Sequence, residues 1–298
     1  MSDRSKIEWT DASWNPVSGC SHVSPGCEHC YAETLSHRYK WTTKPWGAQH
    51  AAENVKLHPE RLDQPLRWQR PRRVFVNSMS DLFHEQVPDD FIDRVFAVMA
   101  LAPQHSFQIL TKRPERMRRY FTRTSSGASR EELVYEARLV VIGRHYLKTW
   151  PGWPLPNAWL GASVEDQPRY EQRIGELIMT PATVRFLSCE PLLGPLAFGD
   201  HWNLGLVRRG CAISWMIVGG ESGPGARPMD VQWARDIVAQ CRAARVPVFV
   251  KQLGARAVEH IHTGNATVPM VRRLGLRDRK GGAPSEWPED LRVRDYPR

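Results

Sequence analysis

Three cysteines fall within eleven residues, in the run Gly19-Cys20-Ser21-His22-Val23-Ser24-Pro25-Gly26-Cys27-Glu28-His29-Cys30-Tyr31. The spacing is C-x6-C-x2-C. Clustered thiols in a chain large enough to form its own core point first to metal, because such a chain does not need disulfides. Pro25 and Gly26 suit a tight turn that lets three sulfurs converge. Thiolates are soft ligands and suit either iron–sulfur clusters or zinc. A [4Fe–4S] cluster on Cys20, Cys27 and Cys30 would leave one iron without a protein ligand, free to be chelated by a small molecule. Zinc would take the same three thiolates with His22 or His29 as a fourth ligand. Closed zinc sites usually draw on two separated pairs, and only one x2 pair is present here. Three inert buried thiols are the remaining reading. Cys189, Cys211 and Cys241 stand apart and lack the spacing for a second cluster.

Other chemistry-bearing residues recur in a pattern. Asn77, Ser78 and Asp81 follow the apolar run RRVFV, and Thr111, Lys112 and Arg113 follow FQIL. Ser163, Glu165 and Asp166 follow WLGA; Cys189 and Glu190 follow VRFLS. Gly219, Gly220 and Glu221 follow WMIV, and Lys251 with Gln252 follows VPVFV. Lys112, Arg113 and Arg116 suit a phosphate or carboxylate, Arg by a bidentate grip. Arg118 and Arg119 are expected to face solvent. Glu165 and Glu190 could bind hydroxyl or amino groups, or orient Lys112 and Lys251. Cys189 reads as a hydrogen-atom donor or as a buried structural thiol, and His84 with Glu85 as an acid–base pair.

The elements that must position these residues alternate. Short apolar strands ending in polar or glycine residues are separated by helical patterns, which is the signature of βαβ units and a parallel sheet. Pro88 precedes a helix with Phe91, Val95, Val98 and Met99 on one face, and 230–243 carries a stripe of Val231, Ala234, Ile237, Val238 and Cys241. About seven strands are expected, counting one near Trp14. The expected fold is a complete or partial TIM-like (β/α) barrel, with a doubly wound sheet as the alternative. In both, the carboxyl ends of the strands make the active-site face. Residues 1–254 would form this domain, with a Pro/Trp-rich connection inserted at 122–158, and 255–298 a peripheral segment.

Lys and Arg number 41 against 32 acidic residues, a net charge of +9. That balance favours a nucleic acid or a phosphorylated substrate. No run approaches the roughly 18 apolar residues of a membrane span, and the opening MSDRSKIEWTD has no apolar signal segment. A cytoplasmic protein without a membrane partner is expected. The tryptophans of the insertion, Trp150, Trp153 and Trp159, could stack on bases if exposed, or pin the connection if buried.

The stretches IEWTDASWNPVSGC, SPGCEHCYAE, FVNSMSDLFHE, FQILTKRPERM, LGASVEDQ, RFLSCEPLLGP, IVGGESGPGARPM and VFVKQLG resemble the phage Gp37/Gp68-like family of three-Cys-motif proteins, which is similar to the radical S-adenosylmethionine (SAM) superfamily. The x2 pair and Tyr31 directly after it match the superfamily's C-x3-C-x2-C signature; the first gap departs, with six residues instead of three. The resemblance implies a [4Fe–4S] cluster on Cys20, Cys27 and Cys30, SAM on the open iron, a reducing electron donor, and hydrogen abstraction from a substrate such as a nucleic acid base. It also implies a radical SAM barrel. Gly219-Gly220-Glu221 resembles the superfamily's GGE element, although it follows a late strand. Asn77, Ser78 and Asp81 are the better-placed candidates for SAM contacts. The rival expectation is a zinc-stabilised nucleic-acid-binding protein without catalysis.

Overall fold

The computed structural model describes residues 5–123, 127–142, 149–199, 213–261 and 270–297. Cys211 and parts of the insertion and tail lie outside them. The chain separates into two compact units: 1–23, 30–162 and 175–185 in the first, and 24–29, 163–174 and 186–298 in the second.

The first unit opens with β1 (Ala12–Trp14) and β2 (Val17–Ser18), then α1 (Tyr31–Arg38) and α2 (Ala51–Asn54). It continues through β3 (Lys56–Leu57), β4 (Arg73–Val76), α3 (Asp89–Leu101), β5 (Ser106–Thr111), α4 (Pro114–Thr122), α5 (Arg130–Ile142) and β6 (Ala158–Ser163). Strands β1, β4, β5 and β6 pair in parallel in chain order, with Trp14 opposite Val76, Val76 opposite Ile109, and Ile109 opposite Leu160. Their side chains alternate little and are nearly all buried, as parallel strands covered on both faces require. Helix α3 starts after Pro88, whose fixed φ suits the approach to a helix, and it buries Phe91, Val95, Val98 and Met99 as the periodicity predicts.

The 122–158 segment, expected to be a Pro/Trp-rich connection, holds a helix. Ser129 and Glu132 cap α5 reciprocally: the Ser129 amide and hydroxyl donate to Glu132 Oε2 at 2.7 and 2.8 Å, and the Glu132 amide donates to Ser129 Oγ at 3.3 Å. Its first residue, Arg130, is buried and donates to Asp93 Oδ1 (2.8 Å), Asp89 Oδ2 (3.1 Å) and the Tyr120 carbonyl (2.9 Å), while lying over the Tyr120 ring. Burial pushes the Asp93 carboxyl up, with the bonds from Arg130 and Tyr120 acting the other way. Trp153 stacks on Phe121, and Trp150 Nε1 donates to Glu131. Both rings pin the connection.

The second unit contains most of α6 (Gln167–Ile178) and β7 (Val184–Cys189), then β8 (Trp215–Gly219), β9 (Met229–Asp230) and α7 (Val231–Ala244). β10 (Val248–Gln252), β11 (Ala257–Ile261) and β12 (Met270–Arg273) complete it. Strands β7, β8 and β10 pair in parallel, again in chain order. Asp230 caps α7 by accepting from the Gln232 amide at 2.9 Å, and the five predicted stripe residues are its buried ones. The helix stops at Arg245, in the left-handed region at φ 58°. The tail lies against β10: the Val250 amide donates to Val293 O and the Asp295 amide to Val248 O, each at 2.9 Å. Trp215 Nε1 donates to Asp295 O, and Tyr296 stacks on the Trp215 ring.

Among the described residues the chain is thus mixed α/β, with one run of four parallel strands in the first unit and one of three in the second, compatible with the partial-barrel expectation. Among the described residues, no helix is long and apolar enough to cross a membrane.

Candidate functional site

Cys20, Cys27 and Cys30 are all half-buried. Cys20 follows β2, Cys27 ends a single 3-10 turn (Pro25–Cys27), and Cys30 is the N-cap of α1. A helix N-terminus presents unpaired N–H groups and the positive end of the helix dipole, a setting that suits a thiolate. Thiolates are soft donors, of the kind that suits iron–sulfur clusters and zinc. Among the described residues, no three His, Cys, Asp or Glu side chains are gathered at metal-binding distance.

In the first unit, Arg113 is the centre of the arrangement. Its guanidinium is buried and donates to Cys20 Sγ at 3.5 Å, to Asp81 Oδ2 at 3.2 Å, and to the Ser21 carbonyl and hydroxyl at 3.0 Å each. Its Nε donates to Glu85 at 3.1 Å. Burial would pull its pKa down, but the charges of Asp81, Cys20 and Glu85 outweigh this and push it up, so the cation beside the sulfur is permanent. Asp81 accepts from the Phe83 and Lys112 amides, from Thr111 Oγ1 and from Arg113. One carboxylate therefore ties β5's polar end to the segment beyond β4. His84 pairs with Ser21 Oγ at 2.9 Å and accepts from the Gln86 amide, while Glu85 faces Arg113. The two residues read as an acid–base pair thus take separate partners. Burial, then the Arg113 charge, lowers the His84 pKa and keeps the imidazole neutral.

Asn77 is buried, in the left-handed region at φ 63°, with Oδ1 accepting from the Val17 amide at 3.3 Å and Nδ2 buried without a hydrogen-bond partner among the described residues. Ser78 exchanges hydrogen bonds with Asn15, and its carbonyl accepts from Tyr31 OH at 2.6 Å. Lys112 is half-buried.

In the second unit, two carboxylates hold the middle of the cysteine loop. Glu165, fully buried, accepts from the Gly26 amide at 3.2 Å and from Arg173 Nη1 at 2.8 Å. Gly26 makes a close approach here: a Cβ would stand 3.0 Å from the Glu165 carboxyl carbon, so any side chain would press on that carboxylate. Glu221 accepts from His29 Nδ1 at 2.9 Å and from the Arg227 amide and guanidinium at 2.6–3.0 Å. Burial pushes the Glu221 carboxyl up, but the bonds from Arg227 and His29 prevail and hold it below the usual range. Arg227 also donates to the Pro25 carbonyl (3.0 Å) and to Glu28 (2.9 Å). No sequence motif marks Arg227 and Arg173: they lie six residues from Glu221 and eight from Glu165, and no local pattern shows that each meets that carboxylate.

Glu190 forms an ion pair with Lys251, and a Cβ on Gly219 would touch the Glu190 side chain at 3.4 Å. Gly220 faces backbone: a Cβ there would run into the Leu253 carbonyl. Cys189 is fully buried against Met216 Sδ at 3.3 Å, and burial pushes its thiol well up. It lies in the core.

The fold and these loops define a parallel α/β protein with a carboxylate-braced cysteine loop. Residues 4–276 match the model of a protein family of unknown function, DUF5131, and the chain belongs to that family. Neither a curated protein nor a solved structure matches it.

Proposed function

We propose that this chain is a radical SAM enzyme whose Cys20, Cys27 and Cys30 hold a [4Fe–4S] cluster, with SAM on the iron that no cysteine reaches. The observation that carries the reading is the loop itself. Three half-buried thiols lie within eleven residues, one of them at a helix N-terminus and one accepting from a buried guanidinium. The C-x2-C-Tyr end of the motif and the likeness to Gp37/Gp68-like sequences support it. When bound, these cofactors supply reductive cleavage of the sulfonium and abstraction of a hydrogen atom from substrate. The chain's own residues do the remainder. Arg113 offsets negative charge at Cys20. Glu165 and Glu221, through Gly26 and His29, brace the loop between its cysteines. Asn77 Nδ2, buried without a partner among the described residues, is a donor for a SAM carboxylate or ribose oxygen; Ser78 beside it, and Glu190 and Gly219 in the second unit, are the further candidates. Lys112 is the candidate for substrate.

One observation favours zinc. His29 Nδ1 is held by the Glu221 carboxylate, the orientation a metal-ligating imidazole takes when its other nitrogen faces the metal. One experiment separates the two. Protein purified and reconstituted without oxygen is analysed for iron, sulfide and zinc, then reduced and studied by electron paramagnetic resonance with and without SAM. About four irons per chain and a reduced signal that changes on adding SAM are expected. Stoichiometric zinc with no cluster would refute the radical reading and support a zinc-stabilised protein.

A further inference from the structure

A second surface lies just beyond α1, in the run His37-Arg38-Tyr39-Lys40-Trp41-Thr42-Thr43-Lys44-Pro45. Eight of these nine residues are exposed, Thr42 being the buried one. Tyr39 and Trp41 are exposed to 56% and 53%, although each ring would gain about 2 kcal/mol or more from burial. They stack on one another at 5.2 Å with an interplanar angle of 27°, and the Arg38 guanidinium lies 6.0 Å from the Tyr39 ring centre. The stretch holds four basic or imidazole side chains and no acidic one.

The backbone beneath is built to hold this exposure. The Trp41 amide donates to Ser36 O at 2.8 Å, and the Tyr39 amide to Leu35 O at 2.9 Å. Lys40 sits in the left-handed region at φ 57°, which reverses the chain between the two rings. Buried Thr42 Oγ1 donates to Ser36 Oγ and accepts from Trp46 Nε1, and Asn54 Nδ2 clamps the Lys44 and Pro45 carbonyls. The rings are thus displayed from an anchored turn.

We infer that this turn is a stacking platform for single-stranded nucleic acid, with Tyr39 and Trp41 meeting bases and Arg38, Lys40 and Lys44 meeting phosphates. Every base offers a π-face, so such a platform is sequence-tolerant, and its basic flank matches a polyanion. A duplex keeps its base faces stacked internally and leaves only phosphates for the flank. The inference rests on side chains outside the cysteine motif, beyond the other end of α1 from Cys30, and is independent of any metal.

The test is fluorescence anisotropy of a labelled 12-nucleotide oligo(dT) with the purified full-length chain at about 50 mM salt. The same-length duplex serves as comparison, and Trp fluorescence is followed in parallel. Expected are preference for the single strand, quenching of Trp emission that Trp41→Ala removes, and about tenfold weaker binding for Tyr39→Ala or Trp41→Ala. The double charge reversal Lys40→Glu with Lys44→Glu should weaken binding and flatten its salt dependence. Both rings are exposed, and circular dichroism checks that the variants stay folded. No binding by the wild type overturns the inference. So does equal affinity for duplex, or aromatic variants that bind like the wild type. Binding to phosphatidylserine vesicles in place of the oligonucleotide, lost in the same variants, would overturn it and assign the turn to a lipid surface.

Discussion

Replacing Glu165 by Gln tests the bracing of the cysteine loop most directly. The Glu165 side chain is 0% exposed and that of its partner Arg173 is 4% exposed, so the pair meets in a desolvated setting. Removing one charge of such a pair leaves the other buried and uncompensated, which costs about 3–5 kcal/mol. Gln keeps one acceptor for Arg173, and Arg173 still reaches the Ser163 carbonyl at 2.8 Å. The expected loss is therefore at the low end, about 3 kcal/mol. For a chain of 298 residues, with an unfolding entropy of about 0.6 kcal/mol/K, that lowers the thermal midpoint by about 5 °C. Gln also presents a donor where the Gly26 amide needs an acceptor, so the loop loosens and Cys27 should react faster with a thiol reagent. Urea denaturation and thiol-labelling rates measure the two effects. Adding Arg173→Met should recover part of the stability, because the stranded cation is then gone, yet leave the labelling fast. A Glu165→Gln protein within about 0.5 kcal/mol of wild type and with unchanged labelling would refute the argument, since ordinary surface substitutions fall in that range.

Asp81→Asn should cost about 2–4 kcal/mol, because it removes the charge facing buried Arg113 and replaces one of the two oxygens that accept from Thr111, Lys112 and Phe83 by an amide that donates; denaturant titration measures it. Gly220→Ala should lower the yield of folded protein or cost more than about 2 kcal/mol, read by thermal melting, because its Cβ would meet the Leu253 carbonyl, which is backbone and cannot swing aside. Burial lowers the pKa values of His58, His84 and His105 below their ordinary value of about 6.5. The unfolded chain therefore binds these protons first. Stability should be undiminished by them above pH 6.5 and fall as pH drops through 6.5 toward the folded values, by up to about 1.4 kcal/mol per pH unit for each group. His84→Gln should reduce that slope in urea titrations at pH 7.0 and 5.5.

What could be read from the sequence was what repeats locally. The stripe from Val231 to Cys241 and the face from Phe91 to Met99 follow a 3.6-residue period, and both are buried as that period requires. The strands announced themselves as short apolar runs with polar ends. Helix α5 escaped notice because tryptophans and prolines dominate its surroundings, although Ser129 and Glu132 stand at the spacing of a capping box. The bracing of the cysteine loop was not legible at all. Gly26 meets Glu165 from 139 positions away and His29 meets Glu221 from 192, and no local pattern encodes pairings of that range. Glu165 and Glu221 were legible as polar groups at strand ends, but which groups they hold depends on the folded chain.

The rung that residues 293–295 lay on β10 has a consequence for how this protein would fail. β10 carries Val248, Phe249 and Val250 in succession, and an apolar strand with open amides and carbonyls is a template for other chains. The tail occupies that template, and Arg294 lies 5.2 Å from the Phe249 ring and 5.5 Å from the Trp287 ring, placing a charge over the apolar row. Loss of the last few residues would uncover a pairing edge as well as weaken the unit, so truncated molecules should be recovered as aggregates before they are recovered as unfolded monomers.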